Sequence, residues 1–281
     1  MKKCFTINTA RSTEEFKEYE KLLDEGIYQA VEIFFPYNLS EDNYSIYYNN
    51  VRNLKARHLN CEVVMHLPFG VDNNLCDLND YVRIVQRMKD GIEFTSHFGT
   101  KKLTLHLGGV KKDVPRKDYI NHIVPVLKVL CTYASKYNMN VMIENMPKDI
   151  ELGYSPNEIR EIIDSVGMDN LKFILDTGHA HVSDYEIEDY IELLHDKLYH
   201  IHFSDNMGKS DEHKRMGLGN IDFEKVFNKL QEVGYDQLHC MEVIYQDVSI
   251  LRDFAEDFDK YSKWHWIDIL SFSWKNKQFG V

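Results

Sequence analysis

Acids and imidazoles in this chain recur at one kind of place, directly after a short apolar run. Phe173-Ile-Leu-Asp-Thr-Gly-His-Ala-His181 leads an apolar stretch into Asp176 and His179. The same layout puts His66 after Val63-Val-Met, His106 after Leu103-Thr-Leu, Glu144 after Val141-Met-Ile and Glu242 after His239-Cys-Met. His200 and His202 are two residues apart, so on a strand they share a face and either can point inward. An ionised carboxylate or unpaired imidazole at a buried strand end is costly to desolvate unless it is paired or bound to a cation. Any one of these histidines alone reads equally well as core. The set of His66, His106, Glu144, Asp176, His202 and Glu242 reads as metal ligation. Oxygen and imidazole ligands without thiolate suit zinc, manganese, magnesium, cobalt or iron.

A second constellation lies in the segment from Ser204 to Phe223, where Asp211 and His213 form an Asp-x-His pair that can converge on one ion from a local turn. A charged loop with one histidine is ordinarily solvated surface. With His179 as a third ligand the pair becomes a candidate site, and Gly217 and Gly219 let the backbone turn sharply at its rim.

These residues need a frame that brings distant strand ends together. Apolar runs rich in β-formers occur at 4–8, 31–35, 61–67, 102–107, 140–146, 171–176, 199–204 and 238–244. Between them lie amphipathic stretches predicted as helices: Thr13 to Asp24, Tyr44 to His58, Tyr81 to Phe98, Lys117 to Tyr137, Pro156 to Val166, Tyr185 to His195, Phe223 to Val233 and Ser249 to Tyr261. In the fourth, Ile120, Ile123, Val124, Leu127, Leu130 and Cys131 follow the spacing of one buried face. Strict alternation implies parallel strands with right-handed crossovers, and eight repeats are the number that closes a barrel. The expectation is an α/β chain forming a single (β/α)8 TIM barrel over 1–281. An open doubly wound sheet is the runner-up, but no G-x-G-x-x-G turn follows the first strand. The segment 264–281 is an aromatic tail carrying all three tryptophans, readable as a cap over the helical layer or as a contact in a homo-oligomer.

Composition narrows the classes further. With 281 residues, 43% of them hydrophobic, the chain can bury a sizeable core. Five cysteines without C-x-x-C spacing argue against a disulfide framework and a thiolate zinc site, and Cys4, Cys61 and Cys240 read as core. No targeting segment or run of about 18 apolar residues is visible, so a reducing cytoplasmic location and no membrane are expected. A formal charge of -12 disfavours polyanions generally, although bound cations could reverse the field locally.

On Glu144-Asn, Asp176-Thr-Gly-His179, His202-Phe-Ser-Asp205, Asp211-x-His213 with Gly217-Leu-Gly-Asn-Ile-Asp-Phe223, and Glu242, the chain resembles the xylose isomerase-like TIM-barrel superfamily. That superfamily includes sugar isomerases, ketose 3-epimerases, inosose dehydratases and the endonuclease IV branch. Likeness to the epimerases implies one divalent ion (Mn, Zn, Mg or Co) held by Glu144, Asp176, His202 and Glu242. Glu144 and Glu242 would then be the catalytic pair, exchanging a carbon-bound proton of a ketose through an enediolate, and His179 would contact substrate. A family arginine about six residues after the metal-binding histidine is unmatched, since Gly208 stands there, and Lys209 and Arg215 are its candidate substitutes. Likeness to the endonuclease IV branch implies up to three ions: His66, His106 and Glu144; Glu144, Asp176, His202 and Glu242; His179, Asp211 and His213. Such a cluster would activate water against a phosphodiester at abasic DNA sites.

The rim loops favour the sugar reading. A DNA enzyme needs basic and stacking residues at its mouth. Pro36-Tyr-Asn-Leu-Ser-Glu-Asp-Asn-Tyr-Ser45 has two acids and no base, and clustered positive charge is confined to Lys111-Lys112 and the Lys209 to Arg215 stretch. The expectation is a metal-dependent isomerase or epimerase of carbohydrate metabolism acting on a small sugar or polyol, with nucleic acid less favoured. A non-catalytic barrel with a vestigial metal is the remaining alternative; converging acids repel one another unless a cation is bound, which argues against it.

Overall fold

In the computed structural model, which describes residues 1–262, each buried apolar run has become a strand and each amphipathic stretch a helix. Eight strands form a closed barrel: β1 (Lys2–Ile7), β2 (Ala30–Phe34), β3 (Glu62–His66), β4 (Lys102–Leu105), β5 (Asn140–Glu144), β6 (Leu171–Asp176), β7 (Leu198–Phe203) and β8 (Leu238–Met241). Every pairing is parallel and in chain order, and the ring closes where Lys2 to Phe5 of β1 lie beside Leu238 to Met241 of β8. Closure is a (β/α)8 TIM barrel and excludes the open doubly wound sheet.

The outer layer is α1 (Thr13–Asp24), α2 (Glu41–Arg57), α3 (Tyr81–Ser96), α4 (Arg116–Ser135), α5 (Pro156–Val166), α7 (Ile187–Leu194), α8 (Phe223–Glu232) and a further helix, α9, over 250–262, while the one-turn α6 (Thr177–His181) sits buried at the end of β6. The tail 264–281 lies outside the described residues. None of the helices described is long and apolar enough to cross a membrane.

Local chemistry explains where the predicted boundaries hold and where they move. The start of α1 is set by a capping box in which the Ser12 side chain accepts from Glu15 N and Glu15 reaches back to Ser12 N. α5 begins at Pro156 behind a Ser155 cap and ends at Gly167, whose φ of 63° only glycine adopts freely. α2 starts three residues before the predicted Tyr44, because Ser40 caps the Asn43 amide. β8 stops short of the predicted Ile244: the Ile244 amide donates to His213 O in the loop after β7 rather than to a strand.

The main core fills the space between barrel and helices. Inside the barrel the filling is layered. Cys4, Ala30, Val64, Met142, Ile174, Leu238 and Cys240 form an apolar cluster. A polar group within the barrel follows, in which Glu32 accepts from Thr104 and contacts His200 and His202. All five cysteines are free and buried.

Candidate metal centre

The strand ends carry the candidate residues to one mouth. His66 closes β3, Glu144 closes β5, Asp176 closes β6 and His202 sits on β7. His106 and Glu242 each follow the last residue of their strand by one position. Asp211 and His213 come from the long loop between β7 and α8.

Four groups result among the described residues, each with ligand atoms within 4.8 Å of one another: His66, His106 and Glu144; Glu144, Asp176, His202 and Glu242; His179, Asp211 and His213; and, deeper in the barrel, Glu32, His200, His202 and Cys240. Glu144 joins the first two. Its Oε2 lies 3.2 Å from His106 Nε2 and 3.9 Å from His66 Nε2, and its Oε1 lies 3.3 Å from His202 Nδ1. Glu242 Oε2 is 2.9 Å from the same His202 nitrogen. In the loop group, Asp211 Oδ2 lies 2.8 Å from His213 Nε2 and 3.2 Å from His179 Nε2.

Four of the five histidines have one nitrogen tied by a hydrogen bond away from the centre, which fixes what the other can do, and the fifth, His106, turns its Nδ1 toward an acid without a hydrogen bond. Nδ1–H donates to Leu67 O at 2.9 Å in His66, to Asn145 O at 2.9 Å in His179 and to Glu242 O at 3.1 Å in His213. His106 Nδ1 faces Glu151 Oε2 at 3.6 Å. His202 is reversed: its Nε2 is taken by Glu32 Oε2 at 2.8 Å, leaving Nδ1 at the centre. A histidine bound through one nitrogen and oriented through the other is how proteins present imidazole to a metal. Buried oxygens without hydrogen-bond partners, Glu144 Oε2, Asp176 Oδ2 and Asp211 Oδ1, lie among these nitrogens. The donor set and its unpartnered oxygens fit a divalent cation.

Charge balance in the metal-free chain is kept by protons. Burial disfavours ionisation of Glu144 and Glu242, yet the neighbouring imidazoles win: His202 and His106 hold Glu144 well below the usual carboxylate range, and His202 draws Glu242 down to about 2. Burial would also strip the histidines of charge, but the facing carboxylates raise His106 to about 10, His179 to about 9 and His213 to about 10. His66 goes the other way, lowered by burial and by the His106 charge. Burial pushes Asp176 up to about 7, with Glu242 and Glu144 adding to it.

The supports are built as carefully as the ligands. The Asn145 side chain bridges the ends of β5 and β6, accepting from Asp176 N at 2.7 Å and donating to Asp176 O at 2.9 Å. Asp176 caps the one-turn α6 through His179 N, which swings the His179 ring inward. Asp205, fully buried, accepts four backbone amides, from Asn206, Gly217, Gly219 and Ile221, and so gathers the loop that carries Asp211 and His213. A Cβ on Gly219 would lie 2.2 Å from Asp205 Oδ1 and 2.3 Å from Asn206 O, so this glycine is required by close approach, while Gly217 takes φ of 84°.

A cavity of about 300 Å³ opens at the histidines, lined among others by Thr6, Asn8, Phe34, Phe69, His179 and Glu242. Phe34 stacks on His66 with ring centroids 4.9 Å apart, and Phe69 lies 5.0 Å from the His106 ring, giving one aromatic wall. Some rim cations are turned to acids or carbonyls, Arg11 to Glu15, Tyr245 O and Gln246 O, Lys148 to Asp184 and Lys214 to Glu212, while Lys111, Lys112 and Lys209 are exposed and form no ion pair among the described residues. Arg215, a candidate substitute for the unmatched arginine, is bound to Asp257 and Asp253 on α9, which leaves it committed to the outer layer.

Two residues at the centre were not singled out by spacing. Glu32 sits in Ala30-Val-Glu-Ile-Phe34, and its only signal is an acid inside a run otherwise wholly apolar. Glu151 belongs to a loop that reads as solvated, and reaches His106 through a bridge between Glu151 and Gly109.

Fold and geometry together define a (β/α)8 barrel with a candidate multi-ion centre at the carboxyl ends of its strands. The chain belongs to the xylose isomerase-like TIM barrel family, whose pattern matches residues 20–263. It is 31% identical over 191 residues to an uncharacterized protein of Methanocaldococcus jannaschii, a match spanning 64% of this chain and 64% of that one. A solved D-tagatose 3-epimerase-like protein superposes with a TM-score of 0.80 at 26% identity, covering 96% of this chain and 100% of the other. A probable endonuclease 4 of Mycoplasma mobile is 26% identical over 175 residues, 58% of this chain and 61% of that protein.

Proposed function

We propose that this chain is a divalent-metal-dependent isomerase or epimerase acting on a sugar or sugar-like ketone through an enediolate. The observation that carries the reading is the pair Glu144 and Glu242, both held ionised by His202, beside a cavity walled by Phe34 and Phe69. At about 300 Å³ the cavity is at the small end of ligand sites, which run to about 1,000 Å³. Likeness to a D-tagatose 3-epimerase-like protein supports the same substrate class.

In this reading Glu144, Asp176, His202 and Glu242 hold the ion. A divalent cation there supplies Lewis-acid stabilisation of negative charge developing on the substrate oxygens. Glu144 and Glu242, reaching in from β5 and β8, exchange the proton on the carbon beside the carbonyl. Phe34 and Phe69 offer apolar faces for the carbon skeleton of the sugar, and His179 a polar contact for its oxygens. Incubation of metal-loaded protein with a panel of ketoses in deuterated water tests this. Deuterium should enter beside the carbonyl of at least one ketose, and Glu144→Gln or Glu242→Gln should abolish it; no exchange across the panel refutes the reading.

A second reading is favoured by one specific observation: all three ligand groups assemble, with Glu144 shared. Three ions so placed suit hydrolysis of a phosphodiester, as at an abasic site in DNA. The formal charge of -12 and the commitment of Arg11, Lys148 and Lys214 to acids and carbonyls weigh against a polyanionic substrate, and exposed Lys111, Lys112 and Lys209 weigh the other way. Elemental analysis separates the two, one ion for the sugar chemistry and three for the hydrolase. Chelator-sensitive cleavage of an abasic duplex would reverse the order.

A further inference from the structure

We infer that Glu32 is a positioning residue for the centre, holding His202 in the one orientation that presents Nδ1 to an ion. The inference rests on the metal reading above. Glu32 comes from β2, its carboxylate is wholly buried, and it lies with His200, His202 and Cys240 in a cluster of its own behind the candidate centre. Oε2 accepts from His202 Nε2 at 2.8 Å and from His200 Nε2 at 2.9 Å, while Oε1 accepts from Thr104 Oγ1 at 2.7 Å.

The reversal of His202 identifies what this carboxylate does. His66, His179 and His213 tie Nδ1 to backbone carbonyls, and His106 turns Nδ1 to Glu151, so all four offer Nε2. His202 offers Nδ1, and the only group seen on its Nε2 among the described residues is Glu32. A carboxylate in that place selects the Nε2–H tautomer and makes Nδ1 a stronger donor; a neutral acceptor selects the tautomer without the charge. A structural role as the buried charge partner of His200 and His202 is the competing account, and the measurements below separate the two.

Glu32→Gln isolates the charge, since its amide oxygen can still accept from both imidazoles and its nitrogen can donate to Thr104. Zinc affinity, measured by competition with a chromogenic chelator, should fall about 10- to 100-fold for one bound ion only. The cobalt-loaded variant should show an altered visible spectrum, and the metal-free variant, which loses the buried charge facing His202, should melt below the wild type, a loss measured apart from zinc affinity. Unchanged zinc affinity overturns the inference, and so, where more than one ion binds, does equal weakening of all of them. A second measurement needs no variant. In zinc-loaded wild-type protein with ¹⁵N-labelled histidine, long-range ¹H–¹⁵N correlation should find the His202 proton on Nε2, and a proton on Nδ1 overturns the inference even where Glu32→Gln does not fold. Wild-type protein that takes up no zinc refutes the metal reading beneath it, whereas normal uptake with a Nδ1 proton refutes the role of Glu32 alone.

Discussion

Asp205→Asn should detach the Asp211–His213 loop from the barrel mouth while leaving the barrel intact. Asp205 Oδ2 accepts from Gly217 N at 2.8 Å and Gly219 N at 2.9 Å, and Oδ1 from Asn206 N at 2.9 Å and Ile221 N at 3.2 Å. An asparagine keeps one acceptor oxygen and turns an amide nitrogen toward two N–H donors. Hydrogen bonds to a charged group contribute about 1.5–3 kcal/mol each, so losing two costs the loop about 3–6 kcal/mol. At about 1.4 kcal/mol per factor of ten, the population of the opened loop rises roughly 10²- to 10⁴-fold. Amide hydrogen exchange reads that directly at Gly217, Gly219 and Ile221, while amides of β1 to β8 keep their protection. In the three-ion reading the count of bound zinc should also fall by one, the candidate ion of His179, Asp211 and His213, whereas in the one-ion reading it is unchanged. Unchanged protection in the loop would refute the reasoning.

His239 supplies a pH test away from the centre: burial, with help from the N-terminal amine, depresses its ring to about 3, whereas the unfolded ring titrates near about 6.5. Protons therefore prefer the unfolded chain as the pH falls, so stability present above about pH 6.5 is lost toward pH 3, by about 2 kcal/mol at pH 5. Urea unfolding of wild type and His239→Phe at pH 7 and pH 5 should show a shallower loss in the variant, and parallel losses would contradict this. Because Glu242, Glu32 and Glu144 hold a proton on His202 against the effect of burial in the metal-free chain, zinc uptake by Glu144, Asp176, His202 and Glu242 should release protons and strengthen as the pH rises from 6 to 8. A pH-indicator titration in dilute buffer measures the release; uptake without it would be inconsistent with protonated ligands. Zinc at a hundredfold excess over its dissociation constant should stabilise the fold by about 2.7 kcal/mol, and chelation should reverse the gain in thermal melts. Phe69→Ala, which removes a wall residue 45% exposed, should raise KM for an accepted ketose about tenfold with kcat nearly unchanged; an equal fall in kcat instead would place Phe69 in the chemistry.

The barrel was readable because its rules are local and repeated. Each strand is a run of β-formers, each helix has its own apolar face, and caps such as Ser12 and Ser155 act within three residues of themselves. The ligands were readable for a related reason: a barrel delivers chemistry at strand ends, so Asp176 and Glu144 announce themselves by position. Glu32 is harder to see because both ends of its interaction lie far apart in the chain. Its partners His200 and His202 are 168 and 170 residues away, and a strand buried on both faces has no polar alternation to mark an inward acid as special. Glu151 and Arg215 fail for the opposite reason. Both lie in charged loops where solvent is the ordinary partner, and only the fold reveals that one turns to His106 and the other to α9.

The ring has one seam, where β8 returns to β1, and the strand ends that carry Glu144, Asp176, His202 and Glu242, those of β5 to β8, are successive neighbours on one side of it. In the proposed metal-bound state an ion would act as a clasp on that half of the ring, tying four strand ends that only folding brings together. Such a clasp, closed after the folding barrier is crossed, would lengthen the lifetime of the closed ring by slowing its opening and leave the speed of closing untouched.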